Sequence, residues 1–315
     1  MNEQNLASKL SGQKILLVGG SGFIGGSVLR KLTNQNCEIS VLSRKERNTE
    51  KNVKYIKADL LDPESLKKAL DDKYDILIQS VQFSGHPVER PWLGKSHTYE
   101  GFDAQGTENL IKAISESKAK NSLKQYIYLS GAGADLDIDY PWTRAKKRAE
   151  KAIRESGVSF TIFRPSWVYG KGDQSMSKFV LFAKYLPFFP VIGNGKAPVN
   201  PLWVEDLSQI IVNSILHPQA LNQTINVGSL PELNMKQVSQ IVLDYVGNRN
   251  KPIICHPKPL MKLAGVFAQF IPISPLSPNS VEFLTMDVHL KDLKKKVFDV
   301  QINGLQDGLE KSGLK

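Results

Sequence analysis

A chain of 315 residues that is 41% hydrophobic and 23% charged has the make-up of a folded protein large enough for one extended α/β unit or two tightly joined ones. Its two cysteines, Cys37 and Cys255, lie far apart in sequence and belong to no CxxC or His-rich spacing, which argues against a disulfide framework or a metal site and for a reducing, intracellular (cytoplasmic) setting. The formal charge of +10 calls for anionic partners, yet the cations are scattered without interleaved aromatics, so no nucleic acid is expected.

The polar start, MNEQNLASKLSGQK, shows no apolar signal region, and no run of about 18 apolar residues follows. In chain order, short apolar runs at 14, 38, 53, 74, 124 and 159 alternate with helical periodicity over 22–33, 63–71, 103–118 and 141–156. That alternation predicts βαβ units around a doubly wound, Rossmann-type parallel sheet, and the added segments 171–198 and 230–290, the latter mostly helical, read as a small substrate domain over the carboxyl ends of the strands. Asp62 before Pro63 is a cap followed by proline at the first helical position. VNPLW at 199, the segment from Val204 and QTINVG at 223 read as strand, helix and strand returning to the same sheet. The predicted division puts 1–170 and 199–229 in the dinucleotide-binding domain, and 171–198 and 230–315 in a smaller substrate or partner domain. Residues 291–315 read as a basic tail.

LLVGGSGFIGGSVLRKL follows the first run and opens a helix, with Gly19, Gly22 and Gly25 at GxxGxxG spacing. In that context the first glycine allows a tight turn, the second lets backbone approach a pyrophosphate and the third lets helix pack on strand. The helix N-terminus, with Ser21, Phe23 and Ile24, supplies N–H groups to phosphate. At the end of the second strand stand Ser43, Arg44 and Lys45 instead of a carboxylate, and Arg pairs with a 2′-phosphate that an acid would repel. NADP(H) is therefore favoured over NAD(H). Asp59, followed by Leu60, is placed either for an adenine amine or as a turn cap.

VGGSGFIGGSVLRKL, ADLLDPESL, GTENLIKAI, FRPSWVYGKGD and VNPLWVEDLSQIIVNSI resemble, in order and spacing, the short-chain dehydrogenase/reductase superfamily, covering most of residues 12–228. RPSWVYG and PLSPNSVEFLTMDV are most similar to its atypical group, which contains the 39 kDa NAD(P)-binding subunit of respiratory complex I. The resemblance implies a dinucleotide-binding protein whose further cofactor contacts include Ser80, Lys146 and Pro165. It also implies an active site of Ser or Thr with Tyr-x-x-x-Lys, in which Lys lowers the Tyr pKa and binds the nicotinamide ribose.

Aligning AEKAIRESGVSFTIFRPS puts Lys146 at the lysine position, Trp142 at the tyrosine position and Ala132 at the serine position, with Ser130 two residues early. Indole offers no acid proton for this chemistry. A second register pairs Tyr140 with Arg144, but Pro141 sets Tyr140 at the helix cap. The loop from Gln82 offers His86 and His97 as other proton carriers. Three functions stay open: a redox enzyme for an apolar carbonyl or alkene held by the Phe179–Ile192 region, a non-catalytic NADP(H)-binding subunit or regulator of a membrane-associated complex, and a sugar-nucleotide epimerase or dehydratase. Beyond the dinucleotide, an apolar small molecule and an acidic protein or membrane surface are the partners considered, the last placing the protein at a membrane periphery.

Overall fold

The computed structural model describes residues 8–48, 52–83, 85–271, 274 and 276–314. The first seven residues of the polar start lie outside them. Seven parallel strands form the central sheet: β1 (Lys14–Val18), β2 (Glu38–Ser43), β3 (Val53–Lys57), β4 (Ile76–Gln79), β5 (Gln125–Leu129), β6 (Phe160–Pro165) and β7 (Gln223–Val227). Their order across the sheet is β7-β6-β5-β4-β1-β2-β3. β1 pairs with β2 on one side, Val18 opposite Leu42, and with β4 on the other, Val18 opposite Gln79. The winding therefore reverses at β1, and the carboxyl ends of β1 and β4 open a crevice there.

Burial on both faces explains why these strands read as continuous apolar runs. Leu16 and Val18 point to one core with Leu66, Leu110, Trp142, Ala145 and Ile153, from helices α2 (Pro63–Ala69), α3 (Gly106–Ser115) and α4 (Pro141–Glu155). Ile15 and Leu17 point to the opposite core with Val28, Leu32, Leu207 and Ile211, which α1 (Phe23–Leu32) and α6 (Val204–Ser214) supply. Between α4 and α6 lies α5 (Met176–Tyr185). Asp62 caps α2 as its sequence predicts, its Oδ1 accepting from the backbone of Glu64 and Ser65 at 3.2 and 3.3 Å.

A third core joins Met176, Val180, Phe189 and Val191 to Val238, Val242, Leu305 and Leu309, from α5, α7 (Met235–Tyr245) and α10 (Leu305–Ser312). There Phe189–Ile192 pairs in parallel with Ile253–His256. Phe179 packs edge-on against Trp167 and Phe189, at 5.0 and 5.3 Å, so these rings are spent on core, while Leu181 and Tyr185 of the same stretch are exposed. Two further helices, α8 (Lys258–Ala268) and α9 (Pro278–Leu284), pack against each other.

Two expectations need correction. VNPLW does not rejoin the large sheet: Pro198–Val199 bridges Leu233–Asn234 and Leu202–Trp203 bridges Val168–Tyr169. Pro198 and Pro201 carry no N–H for a ladder, which limits each pairing to two residues. Nor is 291–314 a loose tail. Val297 and Ile302 enter the second core, Leu305 and Leu309 the third, and Asp206 accepts from the Asn303 backbone at 2.8 Å.

A tight join lies between β1 and α1. A Cβ on Gly25 would stand 2.1 Å from the Gly19 carbonyl oxygen, whereas one on Gly26 would have its nearest neighbour at 3.6 Å. Gly25→Ala is expected to cost about 3 kcal/mol in urea unfolding, at the upper end for overpacking. Gly26→Ala should stabilise by about 0.5–1 kcal/mol through helix propensity. Equal effects of the two would remove the packing role assigned to Gly25.

Candidate functional site

The crevice above β1 and β4 is a cleft of about 350 Å³ lined by Val18, Gly19, Ser21, Gly22, Phe23, Ile24, Leu42, Ser43, Arg44, Leu60, Ser80, Gln82, Phe102, Ser130 and Lys146, among others. Gly19 has φ +96°, and a Cβ there would come within 2.5 Å of the Ser80 carbonyl oxygen, so only glycine lets the loop pass this close to β4. Gly22 is the N-cap of α1 and offers no side-chain cap, and the first turn holds no acid, which leaves N–H groups for an anion. The Ser80 hydroxyl, on the cleft wall, is buried with no hydrogen-bond partner among the described residues. A bound polyhydroxylated group would satisfy it. The glycine cradle, the uncapped helix start and this orphan hydroxyl fit a dinucleotide.

Arg44 is exposed, 5.9 Å from the Phe102 ring centroid, and has no carboxylate partner among the described residues. Ser43 spends its hydroxyl on the Lys45 carbonyl at 2.8 Å, shaping the turn that carries Arg44. Three sequence candidates do not line the cleft. Gly25 packs under the loop, Asp59 accepts from the Leu61 backbone at 2.9 Å as a turn cap, and the Pro165 carbonyl accepts from Ala132 N at 2.9 Å.

At the far end, one face of α4 meets the sheet at intervals of four residues. Trp142, 3% exposed, covers Gly131 so closely that a Cβ on that glycine would lie 2.7 Å from the indole. Lys146, 2% exposed, donates to Asp103 at 2.8 Å and lies 3.4 Å from the Tyr128 hydroxyl. Burial opposes its charge, but the Asp103 carboxylate and the Tyr128 hydroxyl outweigh that and raise the Lys146 pKa. Glu150 accepts the Ser130 hydroxyl at 2.6 Å and bonds from Arg154 and Arg164. Burial works against its charge, yet these donors hold its carboxyl below the usual range.

Asp103 carried no signal in the sequence, because its partner is 43 residues away and it sits in a π-helical turn, Tyr99–Gln105, that runs into α3. Phe102, in the same turn, was missed likewise.

The proton-carrier candidates are otherwise engaged. Tyr140 is the α4 cap, its hydroxyl donates to the Asn279 carbonyl, and burial followed by Glu89 and Glu282 raises its pKa. Arg144 binds Asp139. His86 Nδ1 is 2.7 Å from the Tyr99 hydroxyl and 3.2 Å from the Gln82 amide, two donors that assign the ring proton to Nε2. Burial, helped by the charge of Lys146, lowers the His86 pKa to about 3. His97 lies 3.1 Å from the Ser96 hydroxyl in a short turn.

Because a buried pair collapses when one charge is left alone, Asp103→Asn is expected to cost ~3–5 kcal/mol in chemical denaturation. Adding Lys146→Met should recover most of that loss, and strictly additive costs would show that the pair is not coupled. His86 has a pKa below its unfolded value, so the unfolded chain binds the extra proton between 6.5 and about 3. Its contribution is complete above 6.5 and is lost as pH falls through that window. His86→Phe should flatten the acid limb of stability against pH; an unchanged limb would sink this assignment.

Residues 19–184, more than half of the chain, match the family model described as NAD(P)H-binding. Subunit 9 of the NADH dehydrogenase [ubiquinone] 1 alpha subcomplex, mitochondrial, of Arabidopsis thaliana is 23% identical, over 94% of this chain and 75% of its own. The mitochondrial NADH-ubiquinone oxidoreductase 40 kDa subunit of Neurospora crassa is 21% identical, over 90% and 73%. An epimerase from Methanothermobacter thermautotrophicus shares the fold, with a TM-score of 0.70 at 16% identity, over 98% of this chain and 93% of its own. With a glycine cradle at the switch point and this match across it, the chain belongs to the NAD(P)H-binding family, as an atypical member of the short-chain dehydrogenase/reductases.

Proposed function

We propose that the protein holds NADP(H) in an atypical site as a non-catalytic subunit or regulator, at the periphery of a membrane-associated complex. The observation that carries this is Trp142, buried over Gly131 and 5.5 Å from the Phe283 ring, at the position where the family's tyrosine supplies a proton. The Ser130 hydroxyl is committed to Glu150 as well. The bound cofactor would supply or accept a hydride; in this register Trp142 and Ala132, at the family's tyrosine and serine positions, carry no acidic proton, and Ser130, two residues earlier, donates to Glu150.

The residues left for holding it are the Gly19–Ile24 loop for the pyrophosphate, Ser80, and Lys146 for a ribose hydroxyl. An ammonium has three donors, and Asp103 and Tyr128 take two. Arg44 supports the preference for a 2′-phosphate, since it is exposed beside Phe102 and no acid neutralises it among the described residues. On this reading residues 171–198 and 230–315 form the partner side. The relatives named as NADH dehydrogenase subunits support the assembly role. A redox enzyme on an apolar substrate is the second reading. Its support is the intact cofactor cleft. The epimerase or dehydratase reading rests on the structural neighbour named an epimerase and lacks the tyrosine.

Titrating purified protein with NADPH and NADH, by fluorescence and thermal shift, is expected to show tighter NADPH binding. Arg44→Ala should weaken NADPH by about tenfold and leave NADH unchanged, as expected when one bidentate phosphate contact is lost. Carbonyl and quinone panels should give no turnover. Turnover by the unaltered protein would overturn the non-catalytic reading, and no binding of either nucleotide would overturn the cofactor reading. Activity appearing only in Trp142→Tyr would support the register.

A further inference from the structure

Helix α8 inverts the usual polarity of a surface helix. Its two lysines turn to the protein, Lys258 at 2.5 Å from Glu282 and Lys262 on the same carboxylate. Its one fully buried residue is Gly265, where a Cβ would stand 2.7 Å from the Ser277 backbone. Facing outward are Leu260, Leu263, Val266 and Phe267, the last 72% exposed, followed by Phe270 and Ile271. Trp92, from the loop after β4, stacks on Phe270 at 5.5 Å with an interplanar angle of 29° and is itself 55% exposed. An outward helix face is ordinarily polar, and a contiguous patch of large apolar side chains marks a surface that something covers.

The chemistry of the patch selects its occupant. Protein interfaces carry about one hydrogen bond per 100–200 Å². Apart from Lys258 and Lys262, whose ammonium groups sit on Glu282, the exposed side chains of α8 offer no donors or acceptors. The surrounding charge is net positive: from Asp244 to Glu282 the two acids face Arg249, Lys251, Lys258 and Lys262, Arg249 pairing with Asp244 and both Lys258 and Lys262 sharing Glu282, and Lys95 follows Trp92 without an acidic partner among the described residues. A short apolar helix face beside an exposed tryptophan, set among cations, matches a helix lying in the plane of an anionic lipid surface. No helix among the described residues is long and apolar enough to cross a membrane.

We propose that α8, with Trp92, Leu93, Phe270 and Ile271, docks on an anionic phospholipid bilayer and sinks its apolar face into the boundary between headgroups and acyl chains. This rests on the membrane-peripheral part of the function proposed above, and its test needs no cofactor.

The full chain is floated with vesicles of phosphatidylcholine alone and with about 30 mol% phosphatidylglycerol, at low and high salt. Binding to the anionic vesicles is expected, weakened by salt, with a blue shift of emission that Trp92→Phe removes. Phe267→Ser/Phe270→Ser should lower vesicle binding by about tenfold or more. Both residues are exposed, so an unchanged melting temperature and NADPH thermal shift would show that the variant is folded. No vesicle binding, or binding that the double variant leaves intact, overturns the proposal. So does self-association of the unaltered chain that the double variant abolishes, which would make the occupant a second copy. Loss of NADPH binding with vesicle binding intact would count against the cofactor reading alone.

Discussion

An ammonium removed from water must bring a counter-charge with it, and Lys146 draws its own from another element, the π-helical turn that carries Asp103. This pair sets the rotation of α4. Residues four apart lie on one helix face, so once Lys146 is held, Trp142 and Glu150 are held with it. One falls on Gly131 and the other meets Ser130. The three side chains form a single seam along the carboxyl end of β5. Around it, Arg164 and Arg154 close the bonds of Glu150, leaving its buried carboxylate compensated.

On the function proposed above, the seam explains how a dinucleotide cleft persists beside an altered reaction end. Holding a cofactor depends on backbone approach at Gly19, the uncapped start of α1 and a few polar walls, all contributed by β1, β2 and β4. Proton transfer depends on a titratable group at the end of α4 and on a free hydroxyl after β5. The two sets of residues share only Lys146. On the register proposed above, an indole in place of a phenol there exchanges chemistry for packing against Phe283 without touching the glycine cradle.

Local rules carried much of the sequence's information. The glycine loop, the Asp62 cap before Pro63 and Pro141 at the start of α4 each depend on neighbours within a few residues, and each takes its expected form. The continuous apolar strands were readable for the same reason: burial on both faces writes itself into every position. VNPLW was misread because apolar content outweighed the missing N–H groups of its prolines. The segment after Lys291 looks like a tail because, among its described residues, the buried ones are Val297, Ile302, Leu305, Gly308 and Leu309, widely spaced among lysines. Asp103 was illegible for a deeper reason, since nothing near it in sequence distinguishes a carboxylate that will be buried against a distant lysine.

Helix α9 ties the apolar surface to the start of α4. In its seven residues, the Asn279 carbonyl takes the Tyr140 hydroxyl, Glu282 takes both lysines of α8, and Phe283 packs edge-on against Trp142 and His86 at 5.5 and 4.9 Å. The inverted polarity of α8 follows from this. With Glu282 drawing its cations inward, and Gly265 seated on the backbone that leads into α9, the apolar side chains are left on the outer face. The packing that holds Trp142 and His86 and the packing that exposes the hydrophobic surface therefore share one short helix, so a change at Glu282 or Phe283 acts on elements that serve both.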